Sequence, residues 1–244
     1  MAQALFISDL HLAGERPETS ERFFSFLGDE ATRASALYIL GDLLEYWTGD
    51  DELSAADGEP LARQVAQSLR RLSSAGVSVQ LMHGNRDFLV GGGFCAASGA
   101  RLIDDPALVD VCGTSTLLMH GDTLCTDDHD YQAWRRTARS PGWQKDFLAQ
   151  PLESRRESVR QMRARSKAVI SGKPEAIMDV TPEAVQEAFR RHGTRRLIHG
   201  HTHRPARHLL DVDGMPRVRW VLPDWYGAGG YLAIDDVGGR LVAF

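Results

Sequence analysis

Short apolar runs alternate with longer amphipathic stretches along the first hundred residues. Leu5 to Ser8, Ala36 to Leu40 and Val77 to Met82 are too short and too uniformly apolar for surface helices, and predict strands. Thr19 to Leu27 and Pro60 to Ser74 carry helical patterns. The second puts Leu61, Val65, Leu69 and Leu72 on one face and meets a stop at Gly76. Strand-helix-strand order implies parallel pairing in a layered α/β architecture. Beyond Gly99 strands predominate: Leu108 to Val111, Thr116 to Met119, Leu197 to His199, Val218 to Leu222 and Tyr231 to Ile234. Asp213-Gly214 marks a hairpin between Leu209–Val212 and Pro216–Leu222. The expectation for the C-terminal half is a more antiparallel sheet.

One stretch breaks this pattern. From Asp128 to about Ile170 no strand is evident, and Tyr131 to Ala138, Trp143 to Ala149 and Leu152 to Lys167 read as helices. Ser140-Pro141-Gly142 and Pro151 separate them. The expectation is one domain over residues 1–244 carrying a helical lid, inserted at about 128–173. Pro182 to His192 follows as a helix, with Thr181 as its cap and Pro182 at its first position.

Composition narrows the class. The chain has 244 residues, 43% hydrophobic and 25% charged, which is ordinary for a globular protein able to bury a real core. No apolar run approaches the roughly 18–20 residues that span a bilayer. The opening residues lack a basic region and a long apolar stretch, so no secretory signal is expected. Cys95, Cys112 and Cys125 form no CxxC motif and are expected as reduced thiols of a cytoplasmic protein. A formal net charge of -5 makes no global case for nucleic acid.

The insertion departs from that balance. Tyr131 to Lys173 holds eleven Lys and Arg against three Asp and Glu, together with Trp134, Trp143, Phe147, Leu148, Leu152 and Met162. Basic side chains attract anionic headgroups at about 1 kcal/mol each near the surface. Aromatic and aliphatic groups suit an interface or an acyl chain. The insertion is therefore expected to cap the site and to meet an anionic membrane surface; no nucleic acid and no obligate protein partner is expected. The acidic run Asp50-Asp51-Glu52 reads as a solvated loop.

Four apolar runs end in Leu40-Gly41-Asp42, His83-Gly84-Asn85, His120-Gly121-Asp122 and His199-Gly200-His201, and a fifth ends at Asp9-Leu10-His11. Ligands of open α/β sheets sit beyond the carboxyl ends of the strands. Each run thus delivers a polar group to one sheet edge, beside a glycine that lets the chain turn. Asp9 and His11 are two apart and face the same way on extended backbone; His201 and His203 repeat that spacing. Asp9, His11, Asp42, Asn85, His120, His201 and His203 form a mixed oxygen and nitrogen set suited to Mn, Fe or Zn. Seven donors exceed one tetrahedral ion and suit two, with a carboxylate such as Asp42 between them. Paired cations serve in-line displacement at phosphorus. Asp87 and Asp122 read as residues that orient neighbouring ligands, and His83 and His199 as core or supporting residues.

These blocks, Asp9-x-His11, Gly41-Asp42, Gly84-Asn85-Arg86-Asp87, His120-Gly121-Asp122 and Gly200-His201-Thr202-His203, resemble the calcineurin-like metallophosphoesterases and occur in that family's order. The resemblance implies a four-layer αββα sandwich, an α/β (α+β) fold. It also implies a division of ligands: Asp9, His11, Asp42 and His203 for one ion, and Asp42, Asn85, His120 and His201 for the other.

Longer strings resemble one branch of the family, the UDP-2,3-diacylglucosamine pyrophosphatases of lipid A biosynthesis. They are Ser8 to Leu12, Gly41 to Trp47, Gly84 to Phe88, His120 to Asp128 and Ala176 to Val180. That resemblance implies hydrolysis at the α-phosphorus of UDP-2,3-diacylglucosamine, giving UMP and 2,3-diacylglucosamine 1-phosphate (lipid X). It further implies two Mn²⁺ per chain and a place on the cytoplasmic face of the inner membrane. Asn85, Arg86 and His201 are then expected to act in catalysis and to touch substrate, and Asp128, Ser166 and Lys173 match further substrate contacts; Ile170 stands where the branch usually has Asn. Many members of the wider family carry His after the Asn, where this chain has Arg86. A leaving phosphate needs less protonation than a leaving alkoxide, and a guanidinium fits phosphate oxygens. Two other readings keep the same motifs: a soluble nucleotide phosphodiesterase or dinucleotide hydrolase, and a non-enzymatic scaffold. The apolar basic insertion argues against the first, and the complete ligand set against the second.

Overall fold

Two mixed β-sheets stack face to face, and the strands that the hydrophobic pattern marks supply the centre of both. The computed structural model describes residues 3–170 and 175–244. In the first sheet β1 (Ala4–Ile7), β2 (Ala36–Leu40), β3 (Ser78–Met82) and β4 (Arg101–Ile103) run parallel, in the order β11-β10-β1-β2-β3-β4. Strands β10 (Gly230–Ile234) and β11 (Gly239–Ala243) add on antiparallel beside β1. The second sheet comprises β5 (Ala107–Val111), β6 (Thr114–Leu118), β7 (Arg196–His199), β8 (Ala206–Val212) and β9 (Met215–Val221), ordered β5-β6-β7-β9-β8.

The C-terminal half is therefore not one antiparallel sheet. The centre of the second sheet, β6, β7 and β9, is parallel. The last two strands cross to the first sheet. The reason lies in β10, Gly-Tyr-Leu-Ala-Ile, which is buried at every position. Such a strand needs both faces covered, and the place beside β1 provides that.

Side-chain alternation then builds the layers. Phe6, Leu40 and Met82 meet Leu118, Ile198, Trp220 and Leu222 between the sheets. Leu5, Ile7, Leu37 and Ile39 face the other way, against Phe23 and Phe26 of α1 (Pro17–Gly28), Leu69 of α2 (Pro60–Ser74) and Phe94 of α3 (Gly92–Ser98). On the far side Val185 and Phe189 of α7 (Pro182–His192) pack on Leu117, Leu197 and Val212. The result is the expected αββα order. Helix α3 and strands β4 and β11 escape the sequence pattern because they are short and Gly-rich or exposed.

Helices α4 (His129–Ala138), α5 (Pro141–Leu148) and α6 (Leu152–Ile170) form the insertion between β6 and β7. Asp128 caps α4 by accepting from the Tyr131 amide at 3.1 Å, and this starts the helix two residues earlier than its apolar pattern. Most of the insertion's arginines turn inward. Arg155, 2% exposed, donates to the Thr48 carbonyl at 2.5 Å and pairs with Asp51. Arg156 grips both carboxylate oxygens of Glu52, at 3.0 and 2.7 Å. Arg135 binds Asp122 at 2.7 Å, and Arg139 donates to the Gly84 carbonyl at 2.8 Å.

The acidic run at residues 50–52 is thus no solvated loop. Glu52 is buried, and the Asp50 carboxylate accepts from the Gly91 and Gly93 amides at 3.0 and 2.7 Å. Those amides at the start of α3 have no partner within the helix, and Asp50 satisfies them.

Phe6 tests the inter-sheet core. It is fully buried and stacks on Tyr38 with ring centroids 4.8 Å apart. Phe6→Ala should cost about 3–5 kcal/mol, read as a lowered midpoint in urea with an unchanged slope.

Candidate metal centre

The candidate ligands sit just past the ends of β1, β2, β3, β6 and β7, where backbone pairing continues beyond the strands. The Asp9 amide donates to Gly41 O at 3.1 Å, His11 N to Asp42 O at 2.9 Å and Gly200 N to His120 O at 2.8 Å. The expected extended backbone at Asp9-x-His11 and His201-x-His203 is not found. Asp9, His11, Asp42, His201 and His203 have φ of 55°, 50°, 53°, 68° and 54°, all left-handed. Residues with side chains pay of order 1–2 kcal/mol for that conformation. The five come from both sheets rather than from one, Asp9, His11 and Asp42 past β1 and β2 of the first and His201 and His203 past β7 of the second, and together they mark stored strain of the kind found at functional sites.

Two glycines make the approach possible. A Cβ at Gly84 would lie 2.1 Å from Asp42 Oδ1, and one at Gly200 would lie 2.2 Å from Asp9 Oδ2. At these positions the motif glycine supplies space rather than a turn.

The side chains converge in two overlapping sets. Asp9, His11 and His203 form one; Asp9, Asp42 and His120 form the other, with donor atoms in each set within 4.8 Å of one another. Asn85 Oδ1 completes the second side, 2.9 Å from His120 Nε2 and 3.0 Å from His201 Nδ1. Asp9 is common to both sets, and Asp42 Oδ2 lies 3.6 Å from His11 Nε2 of the first and 3.9 Å from His120 Nε2 of the second. Asp9 Oδ1 and both His11 ring nitrogens are buried without a hydrogen-bond partner. Buried donors of this kind carry a desolvation cost unless something binds them. A hard or borderline cation fits this donor set.

Neighbouring groups hold the ligands in place. Asp87 accepts from the amides of Leu43 and Gly84, both at 2.8 Å, and so fixes the turn that presents Asp42. Asp9 Oδ2 accepts from Ser8 Oγ at 2.6 Å and from the His201 amide at 2.8 Å. His120 Nδ1 lies 2.9 Å from Leu40 O, which leaves Nε2 for the centre. Asp122 acts differently from expectation: its carboxylate holds Tyr131 and Arg135 of the insertion, at 2.5 and 2.7 Å. His83 and His199 support the site from outside it, with ring nitrogens against the carbonyls of Val90 and Gly200.

Protonation reflects a site with more negative than positive charge. Burial pushes Asp42 up to about 7, and the charges of Asp87 and Asp9 add to it. Burial pulls His120 down, but Asp42, Asp122 and Asp9 outweigh it and raise the imidazole to about 9. Burial and the neighbouring His120 charge take His201 down to about 4. Asp9 is pushed up by burial, yet His203, whose Nε2 lies 3.5 Å from its Oδ1, and the other imidazoles around it hold it below the usual carboxylate range.

Arg86 flanks this set. Its amide donates to Asp42 Oδ1 at 2.8 Å and its buried Nε has no partner. Asp128 spends a carboxylate oxygen on the α4 cap. Ser166 belongs to α6, but its side chain and that of Ile170, like Lys173 as a whole, lie outside the described residues. Three neighbours of the centre went unread in the sequence. Tyr226 stacks on His11 with centroids 4.9 Å apart; it is brought there because the Trp225 amide donates to Asp9 O at 3.1 Å. Arg16 lies 4.5 Å over the Tyr226 ring. Glu45 is buried beside His11. Only Glu45 stood inside a motif string; the other two come from the fold.

A model of the calcineurin-like phosphoesterase family matches residues 3–205. A protein of Cellvibrio japonicus named UDP-2,3-diacylglucosamine hydrolase is 49% identical over 234 residues, 96% of this chain and 95% of its own. One of the same name from Pseudomonas aeruginosa is 49% identical over 240 residues, 98% of each chain. A third, from Marinobacter nauticus, is 51% identical over 221 residues, 91% of this chain and 88% of its own.

Two outcomes follow from the geometry. Gly200→Ala should displace the Asp9 carboxylate and cut divalent-ion content after dialysis by at least about half, with the far-ultraviolet dichroism retained. Cation binding must displace the protons that the raised pKa values of Asp42 and His120 retain. Affinity should therefore climb with pH, by up to about a hundredfold per pH unit below 7 and about tenfold between 7 and 9. A Mn²⁺ titration across that range with a flat profile would contradict this.

Proposed function

Because the chain belongs to the calcineurin-like phosphoesterase family, we propose that it hydrolyses the pyrophosphate of UDP-2,3-diacylglucosamine at the α-phosphorus, giving UMP and 2,3-diacylglucosamine 1-phosphate. The observation that carries this substrate is near-full-length identity of about half to proteins named for it. The family fold implies a dimetal centre, and the buried, unpartnered donors at the sheet edge suit one. We assign Asp9, His11, Asp42 and His203 to one ion and Asp42, Asn85, His120 and His201 to the other, both Mn²⁺. Cations held there supply positive charge for a phosphorus centre and make water a competent nucleophile near neutral pH.

The chain's own residues do the rest. Asn85 and His201 meet at 3.0 Å and lie where a phosphoryl oxygen approaches the second set. Arg86 carries a buried, unpartnered guanidinium nitrogen, its charge acts on Asp42 and His11, and it offers a fixed cation to the leaving phosphate. Tyr131, held by Asp122, places its ring 6.1 Å from that of His201 and closes the site on the insertion side. Asp128, Ser166 and Lys173 contact the sugar and amide portions in this reading.

The insertion is a lid over this edge. Phe88, Trp134, Trp143 and Phe147 form a ring cluster, with neighbouring centroids 4.8 to 6.1 Å apart, of the kind an acyl chain seeks. Inward pairing of its arginines leaves a narrower docking surface than the charge count suggests. Among the described residues that surface is exposed Trp134 and Leu148 with Arg136, Lys145 and Arg160. No helix among the described residues is long and apolar enough to cross a membrane, and we propose peripheral attachment at the cytoplasmic face of the inner membrane.

Turnover of UDP-2,3-diacylglucosamine against bis(p-nitrophenyl) phosphate, with Mn²⁺ added or chelated, tests the substrate. Preference for the lipid nucleotide is expected; cleavage of the diester alone would favour a soluble nucleotide phosphodiesterase. Arg86→Ala should lower turnover about a hundredfold with the ion content unchanged, and unaltered turnover would remove Arg86 from the mechanism.

A further inference from the structure

Glu45 has a place that the ligand set does not explain. It is 6% exposed, and three elements converge on its carboxylate. Arg16, from the turn after β1, pairs with Oε2 through Nη2 and also donates to the His11 carbonyl at 2.5 Å. Arg163 of α6 donates to Oε1 at 2.8 Å, with its guanidinium 5.0 Å over the Tyr46 ring. His11 Nδ1 stands 3.7 Å from Oε2, and the Tyr226 hydroxyl 3.5 Å from the same oxygen. The backbone fixes this arrangement, because Glu45 N donates to Leu12 O at 3.0 Å and Leu12 N to Leu43 O at 3.0 Å.

We propose that Glu45 is a positioning residue that couples the seating of the α6 insertion helix to the ion held by His11. The inference rests on the metal centre assigned above. A histidine that ligates through one ring nitrogen nearly always donates its other N–H to a carboxylate or carbonyl, which fixes ring and tautomer. His11 Nε2 faces Asp42 and the centre, so Nδ1 is the free donor, and Glu45 is the carboxylate in reach. The 3.7 Å separation is too long for a hydrogen bond and shortens to one when the ring is drawn onto a cation. Arg163 holds the same carboxylate from the insertion. Seating of α6 therefore braces His11, and by reciprocity an ion on His11 braces α6.

Equilibrium dialysis of the full chain against Mn²⁺ alone, with metal analysis and hydrogen exchange of residues 152–164, tests the coupling. Glu45→Gln should weaken one of the two Mn²⁺ sites about tenfold, and Arg163→Met should weaken the same site about fivefold. Arg163→Lys should recover most of that loss. In the wild type Mn²⁺ should slow exchange in α6; in Glu45→Gln it should not. Arg163 is 37% exposed, so its variants keep the test alive should Glu45→Gln fail to fold. Wild-type Mn²⁺ affinity in both variants, or equal protection of α6 with and without Glu45, would overturn the proposal. A wild-type chain that takes up no Mn²⁺ would sink the metal centre itself, and the coupling with it.

Discussion

Uncompensated charge at the sheet edge is the constraint that the rest of the structure serves. Asp9 and Asp42 are almost completely buried, next to His11 and His120, and several of their polar atoms face one another without hydrogen bonds. The turns after β1, β2 and β7 carry these groups into the interior. Proteins tolerate this only where a bound ion or a reaction gives the strain a purpose. The left-handed backbone at five of these residues belongs to the same economy, because packed sheets on both sides hold what the local chain would relax.

Much of this was legible before any coordinates. The three parallel strands of the first half, α2, α7 with its Thr181 cap and the hairpin at Asp213-Gly214 were set by hydrophobic period and turn chemistry alone. The residues of the two metal sets were legible too, since Asp42 and His120 stand beside a glycine at the end of an apolar run, and Asp9, His11 and His203 stand in the strings Asp9-x-His11 and His201-x-His203. What resisted reading was anything decided by contact across the chain. Strand β10 joins the first sheet because its sides are all buried, and periodicity cannot say which sheet covers it. The two-residue spacing of Asp9 and His11 suggested extended backbone, whereas pairing with Gly41 and Asp42 turns both residues left-handed.

Charge counting misled for a related reason. The basic block read as a free surface, and the acidic run at residues 50–52 as a solvated one. Arg155 and Arg156 of that block pair with Asp51 and Glu52, about a hundred residues away in sequence. Surface ion pairs contribute little, but Arg155 and Glu52 are buried, and removing either partner strands a charge in the interior. The insertion is thus held to the body by specific pairs rather than by apolar contact alone, and Glu45 extends that connection to the ligands.

The place of β1 has a consequence for how the molecule is made. Residues 4–7 sit in the middle of their sheet, with β2 on one side and β10, from residues 230–234, on the other. During synthesis on the ribosome the β2 side can pair early, while the opposite edge stays open until residues 230–234 have emerged. An exposed strand edge invites pairing with other chains, and Leu5, Phe6 and Ile7 lie on that open edge in the interval.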